Sequence, residues 1–346
     1  MSGGVDSSVT AGLLVEQGYE VQAVSLRLWE GRDEVGPRNC SDHRGAQEIA
    51  AMIGIPHTLL DLRSQFVAAV VRPFAQEYLR GRTPNPCIAC NRDFKLGALL
   101  DWAREQGADY VATGHYARVV RKNSGARLSL LRGADRGKDQ SYFLFALGQE
   151  QLAHTLFPLG ELQKSEVRDK ARQLGLPVAD RPESQDICLG DYKALVESYA
   201  GTKKVEGGKV IDRAGNVLGR HNGIHGLTIG QRRGLGISAP EPLYVVDIQG
   251  DANKVVVGKK AELACRGLRA SNVNWIAPLA DEEFDAAVQI RYRSAAIPCT
   301  VRPGAEGHCA VRFVGECPAV TPGQAAVFYR GDQVLGGGWI EQAIRE

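Results

Sequence analysis

Two groups of residues in this sequence have the types and spacing that chemistry requires. The first is Thr83-Pro-Asn-Pro-Cys-Ile-Ala-Cys-Asn, where Cys87 and Cys90 form a C-x-x-C pair just ahead of a helical pattern beginning near Arg92. The two prolines forbid a continuous helix through the motif, and a helix N-terminus lowers thiol pKa values and makes thiolates. By itself the pair admits a thioredoxin-like redox couple, part of a structural zinc site, or two inert buried thiols. A third cysteine, Cys188 in Glu183-Ser-Gln-Asp-Ile-Cys-Leu, adds weight to a functional role. The second group is the opening Met-Ser-Gly-Gly-Val-Asp-Ser-Ser, which runs into the amphipathic stretch Val9 to Gln17. Glycines let the backbone approach a ligand closely, and unpaired amides at a helix start favour an anion. The spacing differs from the GxxxxGK[ST] phosphate loop, because no lysine follows the glycines.

These groups need a scaffold, and the pattern supplies an alternation of strands and helices. Glu20 to Trp29 and His57 to Leu62 read as strands, separated by a helix that Ser41 or Asp42 caps and Gly54 ends. Helical patterns follow at Ser64 to Leu79, where Pro73 should kink or split the element, and at Arg92 to Gln106. Tyr110 to Thr113 is a short strand, Ala117 to Gly133 a hairpin, and Gln149 to Thr155 and Lys164 to Leu174 are helices. Such alternation argues for a doubly wound parallel sheet, whose ligands bind at the C-terminal strand ends. A strand is expected ahead of the glycine turn, so a short Val/Ile-rich run upstream of Met1 is expected as well. Beyond Tyr199 glycines become dense, which marks a small loop-rich domain. From about Cys265 short strands recur at Gln289 to Tyr292, Cys299 to Val301, Ala310 to Val314, Ala325 to Tyr329 and Gln333 to Leu335, as in a small barrel. The expected domains are 1–193, 194–264 and 265–346.

At 346 residues with 44% hydrophobic content, the chain has the length for two or three packed domains, and neither disorder nor fibrous structure is indicated. No apolar run reaches the roughly 18 residues of a membrane span and no secretory leader pattern opens the chain, so a cytosolic location without membrane association is expected. A net charge of +2 permits RNA binding without demanding it. The eight cysteines are expected to be thiols, ligands or catalysts rather than disulfides. Cys40, Cys265, Cys299, Cys309 and Cys317 belong to no motif and read as buried or surface thiols.

The opening loop resembles the SGGxDS loop with which ATP pyrophosphatases grip the pyrophosphate of ATP. With Asn85 to Asn91, Ala112-Thr-Gly-His-Tyr-Ala-Arg118, Lys138-Asp-Gln-Ser-Tyr-Phe-Leu144, Phe157-Pro-Leu-Gly160, Ser184 to Cys188, Thr228-Ile-Gly-Gln-Arg-Arg-Gly-Leu-Gly236 and Thr321-Pro-Gly-Gln324, the chain resembles the tRNA-specific 2-thiouridylase family nearly end to end. That resemblance implies an ATP pyrophosphatase domain, a small central domain and a C-terminal β-barrel. It implies 2-thiolation of the tRNA wobble uridine, with ATP and Mg²⁺ as cofactors and a sulfur-donor protein or sulfide source as a partner.

By the same resemblance ATP is held by Ser2, Gly3, Gly4, Val5, Asp6, Ser7 and Ser8, by Leu26 and by Gly114. The target base falls to Asn85, Pro86 and Cys87. Contact with tRNA falls to His115, Lys138, Asp139, Gln140, Arg291, Tyr292 and Gln324. Cys188 carries the persulfide sulfur and Cys90 is the nucleophile. Without the resemblance, His115 reads as a core histidine, and Tyr116, Tyr142 and Phe143 as packing residues. Many family members have aspartate where this chain has Cys87. A subgroup with cysteine there resembles enzymes that hold a 4Fe–4S cluster on three cysteines, a set that Cys87, Cys90 and Cys188 would supply. Persulfide and cluster both stay open at this point, as do two rival functions: another adenylating synthetase and a non-catalytic RNA-binding protein.

Overall fold

The computed structural model describes residues 1–30, 42–121, 127–182, 187–200, 205–278 and 282–345. The chain forms two compact units, one of Met1–Val70, Cys87–Gly190 and Asp332–Leu335, the other of Val71–Pro86, Asp191–Gly331 and Gly336–Glu346.

In the first unit, helix α1 (Val5–Glu16) follows the glycine turn directly, and Gly18 at φ +85° ends it in the left-handed geometry that glycine tolerates. Its apolar side chains Val5 and Val9 join Ile49, Leu159, Val167 and Ala171 in one cluster. Gly12 lets it pack tightly, since a Cβ there would stand 2.5 Å from Leu174 Cδ1, just past the helix Lys164–Gln173. Strand β1 (Ala23–Arg27), helix α2 (His43–Ile53) and strand β2 (His57–Asp61) form a parallel crossover unit, with Ala23 opposite His57 and Arg27 opposite Asp61. Asp42 is the α2 cap, accepting from Gly45 N at 3.0 Å, and Gly54 closes the helix at φ +80°. Strand β3 (Val111–Ala112), the hairpin β4 (Ala117–Arg121) and β5 (Leu128–Arg132), and strand β6 (Thr155–Leu156) follow, with β3 and β6 again parallel. The parallel strands and their helices are the expected α/β architecture.

Two helical stretches are shaped by proline, the first split as expected and the second starting earlier than expected. The predicted helix over 64–79 is an α-turn (Arg63–Phe66), a π-helical turn (Val67–Val71) and a helix (Arg72–Leu79). Pro73 sits in the first turn of that last piece, where its missing N–H costs nothing, and the wider turn absorbs the break. The second helix begins at Pro86 rather than near Arg92. It runs as Pro86–Ala89, a π-helical stretch Cys90–Ala98 and an α-helix Leu99–Glu105. Pro86 serves as its first residue, so Cys87 and Cys90 lie within the opening turns and not ahead of them.

In the second unit, β7 (Gly208–Ile211), β8 (Val217–His221), β9 (Tyr244–Gln249) and β10 (Lys254–Gly258) make a sheet in the order β8-β7-β10-β9. It is built on Val210, Val245, Val255 and Val257. The barrel strands are β11 (Ala264–Trp275), β12 (Phe284–Gln289), β13 (Ile297–Pro303), β14 (Cys309–Pro318), β15 (Ala325–Arg330) and β16 (Gln333–Ile344). They run in the order β11-β14-β13-β12-β15-β16, and β16 returns to β11 from Gly336 to Ile344, which closes the barrel. The strand expected at 289–292 is corrected: β12 ends at Gln289, and Arg291 begins a turn in which Ser294 N donates to Arg291 O at 3.1 Å. Strand β11 escapes a period-two reading because its register shifts at several places and Asn272 takes φ +48°.

Candidate active site

The glycine turn is built for close approach. Gly3 adopts φ +75°, and a Cβ on it would lie 2.7 Å from Asp42 O. Gly4 is the α1 N-cap without a capping side chain. Ser7 and Ser8 both turn their hydroxyls back onto Gly4 O, at 3.2 and 2.8 Å, and Ser2 N donates to Ser7 Oγ at 3.1 Å. The loop is tied on both sides: Asp42 N donates to Ser2 O at 3.0 Å, and Arg181 Nη1 donates to Gly3 O at 3.1 Å and pairs with Asp42 at 2.9 Å. Met1 lies along β1, its ammonium donating to Val24 O and its carbonyl accepting from Ser25 Oγ at 2.7 Å. Burial lowers that ammonium to a pKa of about 6. Leu26, two residues further along β1, faces Leu60 in register.

Asp6 is held by two donors from distant elements. Tyr116 OH donates to its Oδ1 at 2.9 Å and Lys164 Nζ at 2.6 Å, with the Lys164 ammonium 5.6 Å from the Tyr116 ring centroid. Gly114 completes the wall, because a Cβ there would stand 2.8 Å from the Asp6 carbonyl carbon. The turn thus combines open helix-start amides with a lysine and an arginine nearby, a setting suited to a polyphosphate.

The thiols lie in the same unit. Cys90 is buried and Cys87 half-buried. Burial pushes the Cys87 thiol up to about 11 and Cys90 to about 12, against the opposing charge of Lys95. The expectation that the helix start makes them thiolates is therefore corrected: loss of hydration outweighs every favourable charge near them. Both also feel the charge of Cys188, which places that third thiol in their electrostatic neighbourhood. Cys90 and Lys95 stand five residues apart, the i→i+5 spacing of π-helical hydrogen bonds, so the widened winding brings them nearer to one face than an α-helix would. Gly97 accommodates that winding, since a Cβ there would meet Arg92 O at 2.6 Å, and Gln151 Nε2 donates to Arg92 O and Leu96 O, both at 2.7 Å.

The residues implied in tRNA contact have varied surroundings. His115 is 8% exposed, shares a hydrogen bond with Thr113 Oγ1 at 2.8 Å, and is lowered by burial to about 3, so it is neutral. Asp139 is equally buried and accepts from Arg132, Gly133 N, Ser141 N and Ser141 Oγ. Gln140 Oε1 accepts from Tyr116 N at 3.1 Å, while Lys138 is half-buried. In the second unit, Arg291 Nη2 donates to Ile229 O, Ala319 O and Thr321 Oγ1, and Tyr292 packs under the Arg293 guanidinium. Gln324 Nε2 donates to Thr83 O at 2.7 Å, in the run leading to Asn85 and Pro86.

Comparison with known proteins agrees along the whole chain. Residues 1–191 match a family model described as a tRNA methyl transferase HUP domain, residues 193–259 its PRC-barrel domain, and residues 265–340 an aminomethyltransferase β-barrel domain. The tRNA-specific 2-thiouridylase MnmA of Geobacter metallireducens is 50% identical over 357 residues, spanning 100% of this chain and 96% of its own. The proteins of the same name from Geotalea uraniireducens and Syntrophotalea carbinolica are each 47% identical, over 99% and 98% of this chain and 94% and 97% of theirs. The chain belongs to the tRNA-specific 2-thiouridylase family.

Within that family frame, the structure adds residues that the motifs did not mark. Lys164 and Arg181 carry no local signal, being far in sequence from the loop they hold. Tyr116 packs as expected, at 2% exposure, yet its hydroxyl also serves Asp6. Asn91, beside Cys90, donates to Phe143 O at 3.4 Å, while its buried Oδ1 has no donor among the described residues. Ser184, Gln185, Asp186 and Cys40 lie outside the described residues. The remaining cysteines, Cys265, Cys299, Cys309 and Cys317, are buried thiols. Among the described residues no three His, Cys, Asp or Glu side chains gather as a single metal ion requires. Among the same residues no helix is long and apolar enough to cross a membrane.

Proposed function

We propose that this protein 2-thiolates the wobble uridine (position 34) of tRNA in the cytoplasm, using ATP with Mg²⁺ and sulfur carried on a cysteine. The observation that carries this reading is the pairing, within one unit, of a phosphate-suited glycine turn with Cys90 and Cys188. A synthetase that adenylates a carbonyl for attack by an amine has use for the first and none for the second.

The uracil O2 is a poor leaving group, so it first attacks the α-phosphorus of ATP and expels pyrophosphate. Gly3, Gly4 and the amides opening α1 hold the departing phosphates, while Lys164 and Arg181 add positive charge around the turn. Mg²⁺ accompanying ATP would supply charge neutralisation on the phosphates, with Asp6 as the loop carboxylate that would help hold it. The terminal sulfur of a Cys188 persulfide then attacks C2, forms a C–S bond and displaces AMP. The Cys90 thiolate attacks Cys188 Sγ, so that a Cys90–Cys188 disulfide forms and the 2-thiocarbonyl is released. A dithiol reductant restores both thiols, and a donor protein or sulfide source reloads Cys188. Cys90 is a protonated thiol at rest, and the neighbouring Lys95 charge favours the thiolate that this step requires.

The test is mass spectrometry of tRNA nucleosides after incubation with ATP, Mg²⁺ and a persulfide source. 2-Thiouridine is expected, with loss of the product in Cys90→Ser and Cys188→Ser. Product formed without ATP, or undiminished in both variants, would overturn the reading. Iron and sulfide analysis of anaerobically purified protein accompanies it, with iron-free, fully active enzyme as the expected result.

A further inference from the structure

We propose that the barrel loop Thr321–Gln324 is a clamp on the main chain of Thr83, and that Gly323 and Gln324 are positioning residues for the base-recognition segment Asn85-Pro86. This inference rests on the thiolation reading above and assigns Gln324 a different task from direct contact with tRNA.

The base-recognition segment is entered through Thr83-Pro-Asn-Pro. Proline fixes its own φ and restricts the residue before it, so the four residues form a stiff rod. Proline also lacks an N–H, which leaves Thr83 and Asn85 as the only amide donors in the rod. Its direction is therefore set by how Thr83 is held. Both main-chain groups of Thr83 are engaged by the same loop: Thr83 N donates to Pro322 O at 2.9 Å, and Thr83 O accepts from Gln324 Nε2 at 2.7 Å. Between these two bonds sits Gly323, at φ +91°, where a Cβ would stand 2.9 Å from Thr83 N and 3.0 Å from Thr83 C.

The clamp is itself anchored to the barrel. Ile340 N donates to Gln324 O at 2.8 Å and Gly323 N donates to Ile340 O at 2.9 Å, a reciprocal pair that fixes the loop on β16. Arg82 Nη2 reaches the same Ile340 O at 3.1 Å. On the other side, Thr83 Oγ1 meets Thr228 Oγ1 of the central domain at 3.4 Å. Four independent contacts thus converge on two residues of an otherwise irregular segment, where loops ordinarily keep their freedom. One N–H of the Gln324 amide is thus committed inward, to Thr83 O. A barrel that steers the reacting base through Thr83 also explains why a β-domain carrying neither of the two reacting thiols belongs to the enzyme.

The experiment uses the full-length protein and two variants, Gln324→Ala and Gly323→Ala. Positioning predicts that kcat for 2-thiouridine formation falls by about tenfold or more, while tRNA affinity and its salt dependence stay at the wild-type level. Hydrogen exchange reports the clamp directly: the Thr83 amide is protected in the wild type and exchanges faster in Gly323→Ala. A Gln324→Ala enzyme with weaker tRNA binding and unchanged kcat would overturn the proposal in favour of direct contact. Unchanged Thr83 protection in Gly323→Ala would overturn it as well. A wild-type enzyme that makes no 2-thiouridine would instead refute the thiolation reading, and the Thr83 amide separates the two failures.

Discussion

Gly114 stands so close to Asp6 that a single added methyl group would lie 2.8 Å from the Asp6 carbonyl carbon and 3.0 Å from Ser7 N. Both contacts are to the main chain of the glycine loop, which cannot rotate away as a side-chain end can. Gly114→Ala therefore pushes the loop off its position instead of being absorbed. A shift of about 1 Å at a reacting centre costs on the order of 100-fold in rate. tRNA-dependent pyrophosphate release should fall by about that factor with tRNA binding retained, as steady-state and filter-binding measurements would read. A variant with wild-type pyrophosphate release would show that the loop does not hold the reacting phosphates there.

The Lys164–Asp6 pair makes a stability prediction. Lys164 is largely buried and Asp6 about one-third exposed, so solvent screens the pair in part. Replacing the lysine by methionine keeps most of the packing and leaves Asp6 with Tyr116 as its donor. The expected loss is about 1–2 kcal/mol, below the 3–5 kcal/mol of a fully buried pair. Tyr116→Phe should cost about 1 kcal/mol. Because both donors share one oxygen, the double variant should differ from the sum of the two. Urea unfolding of the four proteins measures this, and strict additivity would argue against a shared site.

Much of this architecture is readable from local pattern, and the exceptions have local causes. The α2 helix is visible because Asp42 and Gly54 mark its ends and Ala46, Ile49 and Ala50 mark its face. Strand β11 is hidden because bulges break its alternation. Arg291 falls within a strand-like run, yet Ser294 folds it into a turn, which apolar periodicity does not report. In the site, the glycine loop and the thiols are legible because their chemistry depends on short spacing. The protonation of those thiols is not, since burial is a property of the packed fold. Nor are Lys164 and Arg181, which reach the loop from 158 and 178 residues away.

Burial of the thiols yields a reactivity prediction. With Cys87 raised to about 11 and Cys90 to about 12, both should be alkylated by iodoacetamide more slowly than free cysteine at neutral pH. The Lys95 charge lowers both values, so its removal moves each thiol further up. Lys95→Ala should slow alkylation of Cys90 again, and slow sulfur transfer with it, while ATP binding is unaffected. Peptide mass spectrometry over a pH series gives the rates. Equal rates in wild type and Lys95→Ala would show that the ammonium does not act on the thiol.

His115 supplies a pH dependence whose sign can be worked out. Its folded-state value is lowered from 6.5 to about 3, chiefly by burial and further by Lys95. Between those values the unfolded chain binds one proton more than the folded one, so stability is complete above about pH 6.5 and is lost as the pH falls toward 3. The slope is about 1.4 kcal/mol per pH unit. Other histidines, such as His57, are lowered too, so the quantity to measure is the difference between wild type and His115→Gln across pH 4 to 7. That difference should shrink steadily below about pH 6.5, and a flat difference would mean that His115 keeps an ordinary value. The same neutrality bears on RNA: an uncharged, buried imidazole releases no counterion, so His115→Gln should leave the salt dependence of tRNA binding unchanged.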